Sequence, residues 1–205
     1  MKNVKGIWLP DHEEHLNHFA TEEGWTYQKH KLDKAMTFCV GRKQAIDIGG
    51  HCGLWSMNLT KLFDEVHAFE PVREHRECYE LNVNGNYVLH PVGLGNKEMT
   101  ASIHHTKGSS GDSWVEPGED VEIKLLDSFE LEPDFIKIDT EGFEYFIIKG
   151  GERTIKKHRP VIIVEQKPGK GKNFGLKDTQ AVTLLQGWGY KLQCELAGDF
   201  ILTSN

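Results

Sequence analysis

Carboxylates placed at the ends of apolar runs carry most of the chemistry this sequence offers. Asp139 follows Phe135–Ile138, Glu141 lies two residues further on, and Glu165 closes Val161–Val164. Three such groups gathered at one mouth would raise one another's pKa by repulsion, which suits one of them to act as a general base near neutral pH. The same set could bind an ammonium or another part of a substrate, or hold a divalent cation. The base is the preferred role, and no metal is expected. Lys137 and Asp139 are two apart on one apolar run, so they share a face of a strand. An ion pair with a neighbouring carboxylate is the ordinary expectation for that lysine.

A second group lies earlier in the chain. Asp47-Ile48-Gly49-Gly50-His51-Cys52-Gly53 joins a short apolar run to a segment of helical spacing. Glycines there allow a tight turn and a close approach of backbone to ligand, and the helix start behind them favours an anion. Asp47 is placed to accept from an ammonium group. Glu70, in His67-Ala68-Phe69-Glu70-Pro71, ends the next apolar run, where a carboxylate can accept ribose hydroxyls. The turn and Glu70 together point to a nucleoside ligand. The dinucleotide pattern GxGxxG, ending at Gly53, would need glycine at position 48, and isoleucine stands there. Asp47, Gly49 and Gly53 instead meet the acid-x-Gly-x-x-x-Gly pattern of methyltransferases.

The elements that must position these groups alternate along the chain. Strands are expected at 44–48, 66–69, 87–92, 135–138, 161–164, 190–194 and 200–203, with less definite ones at 99–105 and 121–125. Helices are expected at 53–63, 72–82, 143–148, 154–158 and 179–186, from apolar spacing, Pro71 at a helix start and Gly150-Gly151 at a helix end. The series predicts an α/β fold: a Rossmann-like, doubly wound, mostly parallel sheet with a C-terminal antiparallel hairpin turning at 196–199. Ligands of such sheets sit beyond the carboxyl ends of the strands. Residues 44–205 would form this domain, and residues 1–43 a helical or irregular cap. Trp25, Tyr27 and Gln28 in that cap could close over the ligand. Two loops, 106–117 and 167–175, could shape the choice of partner, the second as a basic, mobile lid.

The segment from Leu125 to Glu165 resembles the FkbM family of methyltransferases. The resemblance rests on Leu126-Asp127, on Lys137-x-Asp139-x-Glu141-Gly142-x-Glu144, on Lys149-Gly150, and on Arg159-Pro160 opening a strand that ends in Glu165. Asp47-x-Gly49 and Phe69-Glu70-Pro71 match the family's cofactor motifs in order, so the resemblance covers residues 44–166. One departure is Gly50-His51, where the family has a small residue and asparagine. The resemblance implies a class I methyltransferase fold and S-adenosylmethionine as cofactor. It implies Asp47, Gly49, Gly50, His51, Gly53, Glu70, Pro71 and Asp139 around that cofactor, and transfer to a hydroxyl of a small molecule or sugar. Asp139, Glu141 and Glu165 would then serve catalysis. An NAD-linked oxidoreductase and a non-catalytic S-adenosylmethionine-binding module are the competing readings. Ile48 argues against the first; the full set of Asp47, Glu70, Asp139 and Glu141 argues against the second.

Bulk properties narrow the field further. The chain has 205 residues, 38% of them hydrophobic, and a net charge of -7. General attraction to nucleic acid or to an anionic membrane is not expected of such a chain. No apolar run reaches the roughly 20 residues of a membrane span. Four separate cysteines with no CxxC pair suggest free thiols and a cytoplasmic setting. His12, His15 and His18 recur at a spacing that lines one helix face, and a solvated surface is expected of them rather than a metal site.

Overall fold

A computed structural model describes residues 1–21, 24–25, 27–106 and 109–204. Its centre is a seven-stranded sheet. We label the strands β1 (Gln44–Ile48), β2 (Glu65–Phe69), β3 (Tyr87–His90), β4 (Phe135–Ile138), β5 (Val161–Glu165), β6 (Lys191–Leu196) and β7 (Asp199–Thr203). They lie in the order β3-β2-β1-β4-β5-β7-β6. Neighbours from β3 to β5 run parallel, whereas β7 is antiparallel to both β5 and β6. The expected sheet and its terminal hairpin are both present. The tip of that hairpin places Ala197 and Gly198 at positive φ, the backbone of a tight two-residue hairpin turn whose twist matches the strands.

Burial on both faces explains the unbroken apolar runs of the central strands. Ile46, Ile48, Ile136, Ile138, Ile162 and Val164 face one layer, filled by Ile147, Ile148, Ile155, Val182 and Leu185 from the helices at 144–150, 152–158 and 180–187. Ala45, Phe135, Val161 and Ile163 face the other, packed by Leu32 and Ala35 of the helix Lys29–Met36 and by Trp55, Leu59 and Phe63. The alternation is the two-residue period of a strand.

Four segments differ from the sequence expectation. The helix expected over 53–63 shrinks to Ser56–Leu59. His51 and Gly53 are left-handed, and the turns around it mix three- and four-residue closures, so a regular ladder has no room. Residues 106–117, expected as a loop, belong mostly to a strand, Ser109–Lys124, paired with Met99–Thr106. This long arm holds because its register breaks between Glu116 and Val121, where Pro117 needs no ladder partner for a missing N–H. Lys107 and Gly108 lie outside the described residues. The basic segment is a docked 3-10 turn, Lys170–Phe174, rather than a loose loop: a β-carbon on Gly142 would strike the Lys170 carbonyl. The N-terminal region contains two small antiparallel pairs, Lys2–Val4 with Ile7–Leu9 and Ala20–Thr21 with Gly24–Trp25, beside one 3-10 turn, His15–Phe19, and the helix Lys29–Met36. The three histidines therefore share no α-helical face. Leu16 and Glu13 between them are buried, and the His18 side chain lies outside the described residues. No described helix is long and apolar enough to cross a membrane.

Candidate active site

Strand order reverses between β1 and β4, since the chain leaves β1 toward β2 on one side and reaches β4 on the other. A crevice opens at the carboxyl ends of the strands there. Its lining includes Gly49, Gly50, His51, Glu70 and Pro71 from the ends of β1 and β2. Lys137, Asp139, Glu141, Glu165 and Lys167 line it from the ends of β4 and β5, and Tyr27 from the N-terminal segment. Carboxylates far apart in sequence thus face a single cleft.

The glycine turn is built from within. Gly49 and Gly50 both donate their N–H groups to the Phe69 carbonyl at 3.1 Å, and Gly53 donates to Gly50 at 2.8 Å. Gly49 must be glycine: its φ is 76°, and a β-carbon there would run into the Asp139 carbonyl oxygen. These donors are consumed by the fold, so the turn offers a ligand its close backbone rather than a nest of free N–H groups. Asp47 does not reach the cleft. It is fully buried, with Ser56 Oγ donating to Oδ2 at 2.7 Å and Lys137 Nζ lying 3.3 Å from Oδ1. Lys137, directly opposite Asp47 in the sheet register, also donates to the Gly49 carbonyl at 2.8 Å. Burial alone would lower the Lys137 pKa, but attraction to Asp47 and Asp139 raises it instead, so it remains an ammonium. Asp47 and Lys137 together lock the turn. Gly53 likewise lies off the cleft, against Tyr79 and Val83.

Glu70 is buried and faces the cleft. Burial pushes its pKa up, but this is outweighed by His75, His51 and the Val72 N–H, which hold it down to about 2. Val72 N–H donates to Oε1 at 2.8 Å, His51 N–H donates to Oε2 at 2.8 Å, and His75 Nδ1 is 3.2 Å from Oε1. An ionised carboxylate has about four acceptor positions. Three neighbours leave it able to accept from a ligand hydroxyl, so the donor set fits a ribose. His51, at φ 46°, takes a left-handed conformation that asparagine or glycine adopts more easily. Its ring packs edge-on to His75, with centroids 4.3 Å apart. Burial and His75 drive its pKa well below the usual histidine value. It is neutral at physiological pH.

Across the cleft, Asp139, Glu141 and Glu165 can bring one carboxylate oxygen each within 4.8 Å of one another. Burial, then repulsion from Asp139, raises Glu141 from 4.5 to about 7. Burial, Asp139 and Glu141 raise Glu165 to about 9. The sequence did not reveal that lysines partner them: Lys170 Nζ lies 2.6 Å from Glu141 and Lys167 Nζ 2.5 Å from Glu165. The basic character of residues 167–175 was visible; its targets were not. Glu141 itself is left-handed, at φ 56°. The turn bearing it is held by Glu144, whose Oε1 accepts from Thr140 N–H at 3.0 Å and Gly142 N–H at 2.9 Å. Glu144 is therefore a buried staple for the turn. Of the expected cap residues, Tyr27 lines the cleft and Gln28 accepts from Trp55, which is also part of the lining, while the Trp25 side chain lies outside the described residues.

A parallel sheet of this strand order, with one antiparallel strand inserted next to the edge and a cleft at the β1–β4 reversal, defines a class I methyltransferase fold. Residues 47–192 match the model of the methyltransferase FkbM domain, and the chain belongs to that family. Among solved structures, a methyltransferase FkbM from Methylobacillus flagellatus KT matches with a TM-score of 0.50 and 19% identity, over 78% of this chain. The present chain spans only 43% of the length of that protein. A precorrin-6y C5,15-methyltransferase from Geobacter metallireducens GS-15 matches with a TM-score of 0.52 and 15% identity, covering 97% of each chain. A precorrin 8w decarboxylase from Methanobacterium thermoautotrophicum matches with a TM-score of 0.54 and 13% identity, covering 99% of each. These likenesses are likenesses of fold. No curated protein matches the sequence.

Proposed function

We propose that this methyltransferase uses S-adenosylmethionine and methylates a hydroxyl of a small molecule or sugar. The observation that supports this best is the division of one cleft into two carboxylate-bearing ends. Glu70, ionised and with acceptor capacity to spare, suits the ribose. Gly49, Gly50, His51 and Pro71 lie beside it to receive the rest of the cofactor. Asp139, Glu141 and Glu165 stand at the opposite end, where the acceptor would meet the methyl group.

When bound, the cofactor supplies a methyl group on a positively charged sulfur. Glu70, Gly49, Gly50, His51 and Pro71 would hold the cofactor so that its methyl could pass to the acceptor oxygen with the sulfur as leaving group. The hydroxyl proton goes to a carboxylate. Glu141 is the best base of the three, since its pKa of about 7 balances availability against basicity near neutrality. Glu165, raised to about 9, keeps its proton at that pH and would hydrogen-bond to the acceptor or to Asp139. Positioning across the cleft supplies much of the remaining acceleration.

Calorimetric titration with S-adenosylhomocysteine and, separately, with NAD tests the cofactor. Binding of the former alone is expected, and binding of NAD alone would sink the proposal. Glu70→Ala should weaken S-adenosylhomocysteine by about ten-fold or more, on the order of 1.4 kcal/mol. Unchanged affinity would remove Glu70 from the site.

A further inference from the structure

We propose that Glu13 binds the ammonium of the cofactor's amino-acid tail, so that the N-terminal segment is part of the cofactor site and supplies the carboxylate that Asp47 does not. This rests on the proposed use of S-adenosylmethionine and names the residue that holds its amino group.

S-adenosylmethionine carries a nucleoside, a sulfonium and an amino-acid tail with an ammonium. In the strand order β2-β1-β4-β5, the turn after β1 lies between Glu70 and the carboxylates that follow β4 and close β5. With the ribose at Glu70 and the methyl group directed to the acceptor end, the amino-acid tail falls to the β1 turn. An ammonium drawn out of water there needs an acidic partner, because burying a charge unpaired is costly. Asp47 is sealed from the cleft by Ser56 and Lys137. Glu70 is committed to the β2 end. Among the described residues, the remaining carboxylates of the lining are Asp139, Glu141 and Glu165 across the cleft, and Glu13.

Glu13 is fully buried, lines the cleft and comes from the N-terminal segment. Hydrogen bonds hold that segment to the glycine turn. Asn82 Nδ2 donates to the Trp8 carbonyl and to the Cys52 carbonyl, each at 2.8 Å, and Asn82 Oδ1 accepts from Trp8 N–H at 2.8 Å. Leu9 and Leu16, which bracket Glu13, share one buried cluster with Cys52 and Leu54. Between them, Glu13 N–H donates to the Pro10 carbonyl at 3.1 Å, and Glu13 Oε1 accepts from Leu16 N–H at 2.8 Å. Backbone and carboxylate are thus both fixed. Gln28 fastens the segment a second time: its Oε1 accepts from Trp55 Nε1 at 2.7 Å, and its Nε2 donates to the Tyr27 phenol oxygen at 3.1 Å. Glu13, Leu16 and Tyr27 therefore line the cleft on the same side as His51, Leu54 and Trp55. An ionised carboxylate has about four acceptor positions, so Glu13 can take an ammonium beside the partners it already has. A charge-assisted hydrogen bond of this kind is about twice as strong as a neutral one. Glutamine at position 13 would keep an oxygen for Leu16 N–H but lose the charge that draws the ammonium.

The test uses the whole chain and two calorimetric probes: S-adenosylhomocysteine, and its analogue in which hydrogen replaces the amino group. The parent should bind S-adenosylhomocysteine about ten-fold or more tightly than the analogue. Glu13→Gln should bring that ratio to within about two-fold by weakening S-adenosylhomocysteine. Its affinity for the analogue should stay within about two-fold of the parent's, which also shows that the variant is folded. A ratio near one in the parent, or a ratio kept in Glu13→Gln, overturns the inference and leaves the cofactor reading standing. An equal loss of both ligands in Glu13→Gln also overturns it, by making Glu13 a support of the fold alone. Failure of the parent to bind S-adenosylhomocysteine at all overturns the proposed function, and this inference with it.

Discussion

The two ends of the cleft are built on opposite plans. At the β1–β2 end, the glycine-turn N–H groups and the carboxylates are tied to partners in strands and adjoining turns: Gly49 and Gly50 to Phe69, His51 to Glu70, Asp47 to Ser56 and Lys137. At the β4–β5 end, the carboxylates meet lysines from the segment after β5, and Lys167 and Lys170 are partly exposed. The first end is fixed before any ligand arrives. The second can be rearranged by a proton or by a competing partner for a lysine. The difference suits a site in which one ligand is constant and the other must be activated.

The comparison breaks most visibly at Lys137. Lys137→Met leaves Asp47 charged and unpaired in the core, and should cost about 3–5 kcal/mol of stability by denaturant melting. A loss under about 1 kcal/mol would mean that the turn end is not locked by this pair. The next largest effect belongs to the other end. Turnover of an accepted substrate should rise with pH through about 7 and then level, as Glu141 loses its proton. Glu141→Gln should lower kcat by about a hundred-fold or more and abolish that rise. The same variant should melt higher than the parent above pH 7. A carboxyl whose folded pKa is raised from 4.5 to about 7 stabilises the fold fully below 4.5, and that stability is lost as pH rises through about 7. Glutamine escapes the loss. A profile that ignores Glu141→Gln would move the base to Asp139. The smallest effect sharpens the picture further. Lys170 lowers the Glu141 pKa, so Lys170→Ala should shift the midpoint of the pH–rate profile to more alkaline pH, by within about one unit given the exposure of the lysine. An acid shift would show that Lys170 does not act on Glu141.

Much of the sheet was legible because buried parallel strands write themselves as short apolar runs between glycines, as Val161–Val164 does. The cleft carboxylates were legible for the same reason: Glu70, Asp139 and Glu165 punctuate such runs. Asp47 shows where that logic stops. It sits at the end of a strand, yet its side chain takes the inward face, and only the pairing of β1 with β4 sets Lys137 against it. The arm was missed because Ser, Gly, Asp and Pro around 109–118 read as a loop, while tertiary pairing with Met99–Thr106 makes them strand. Pairing of Lys167 and Lys170 with Glu165 and Glu141 depends on how a 3-10 turn folds back, which spacing alone does not encode. Tyr27 was visible as an aromatic before β1, but its anchoring through Gln28 to Trp55 was not.

The arm's two ends are pinned side by side. Gly93 and Leu94 pair with Ile123 and Lys124, and Gly95 N–H donates to Lys124 at 2.9 Å. The described residues between pair with one another from Met99 to Ile123, and Ile103 and Val115, cross-strand partners, contribute to the wall of the cleft. Such a ribbon is an interchangeable part. It can be shortened by cross-strand pairs, or replaced by a relative's ribbon of different length, without moving β3 or β4, so the breadth of the cleft can be retuned while the framework below it stays as it is.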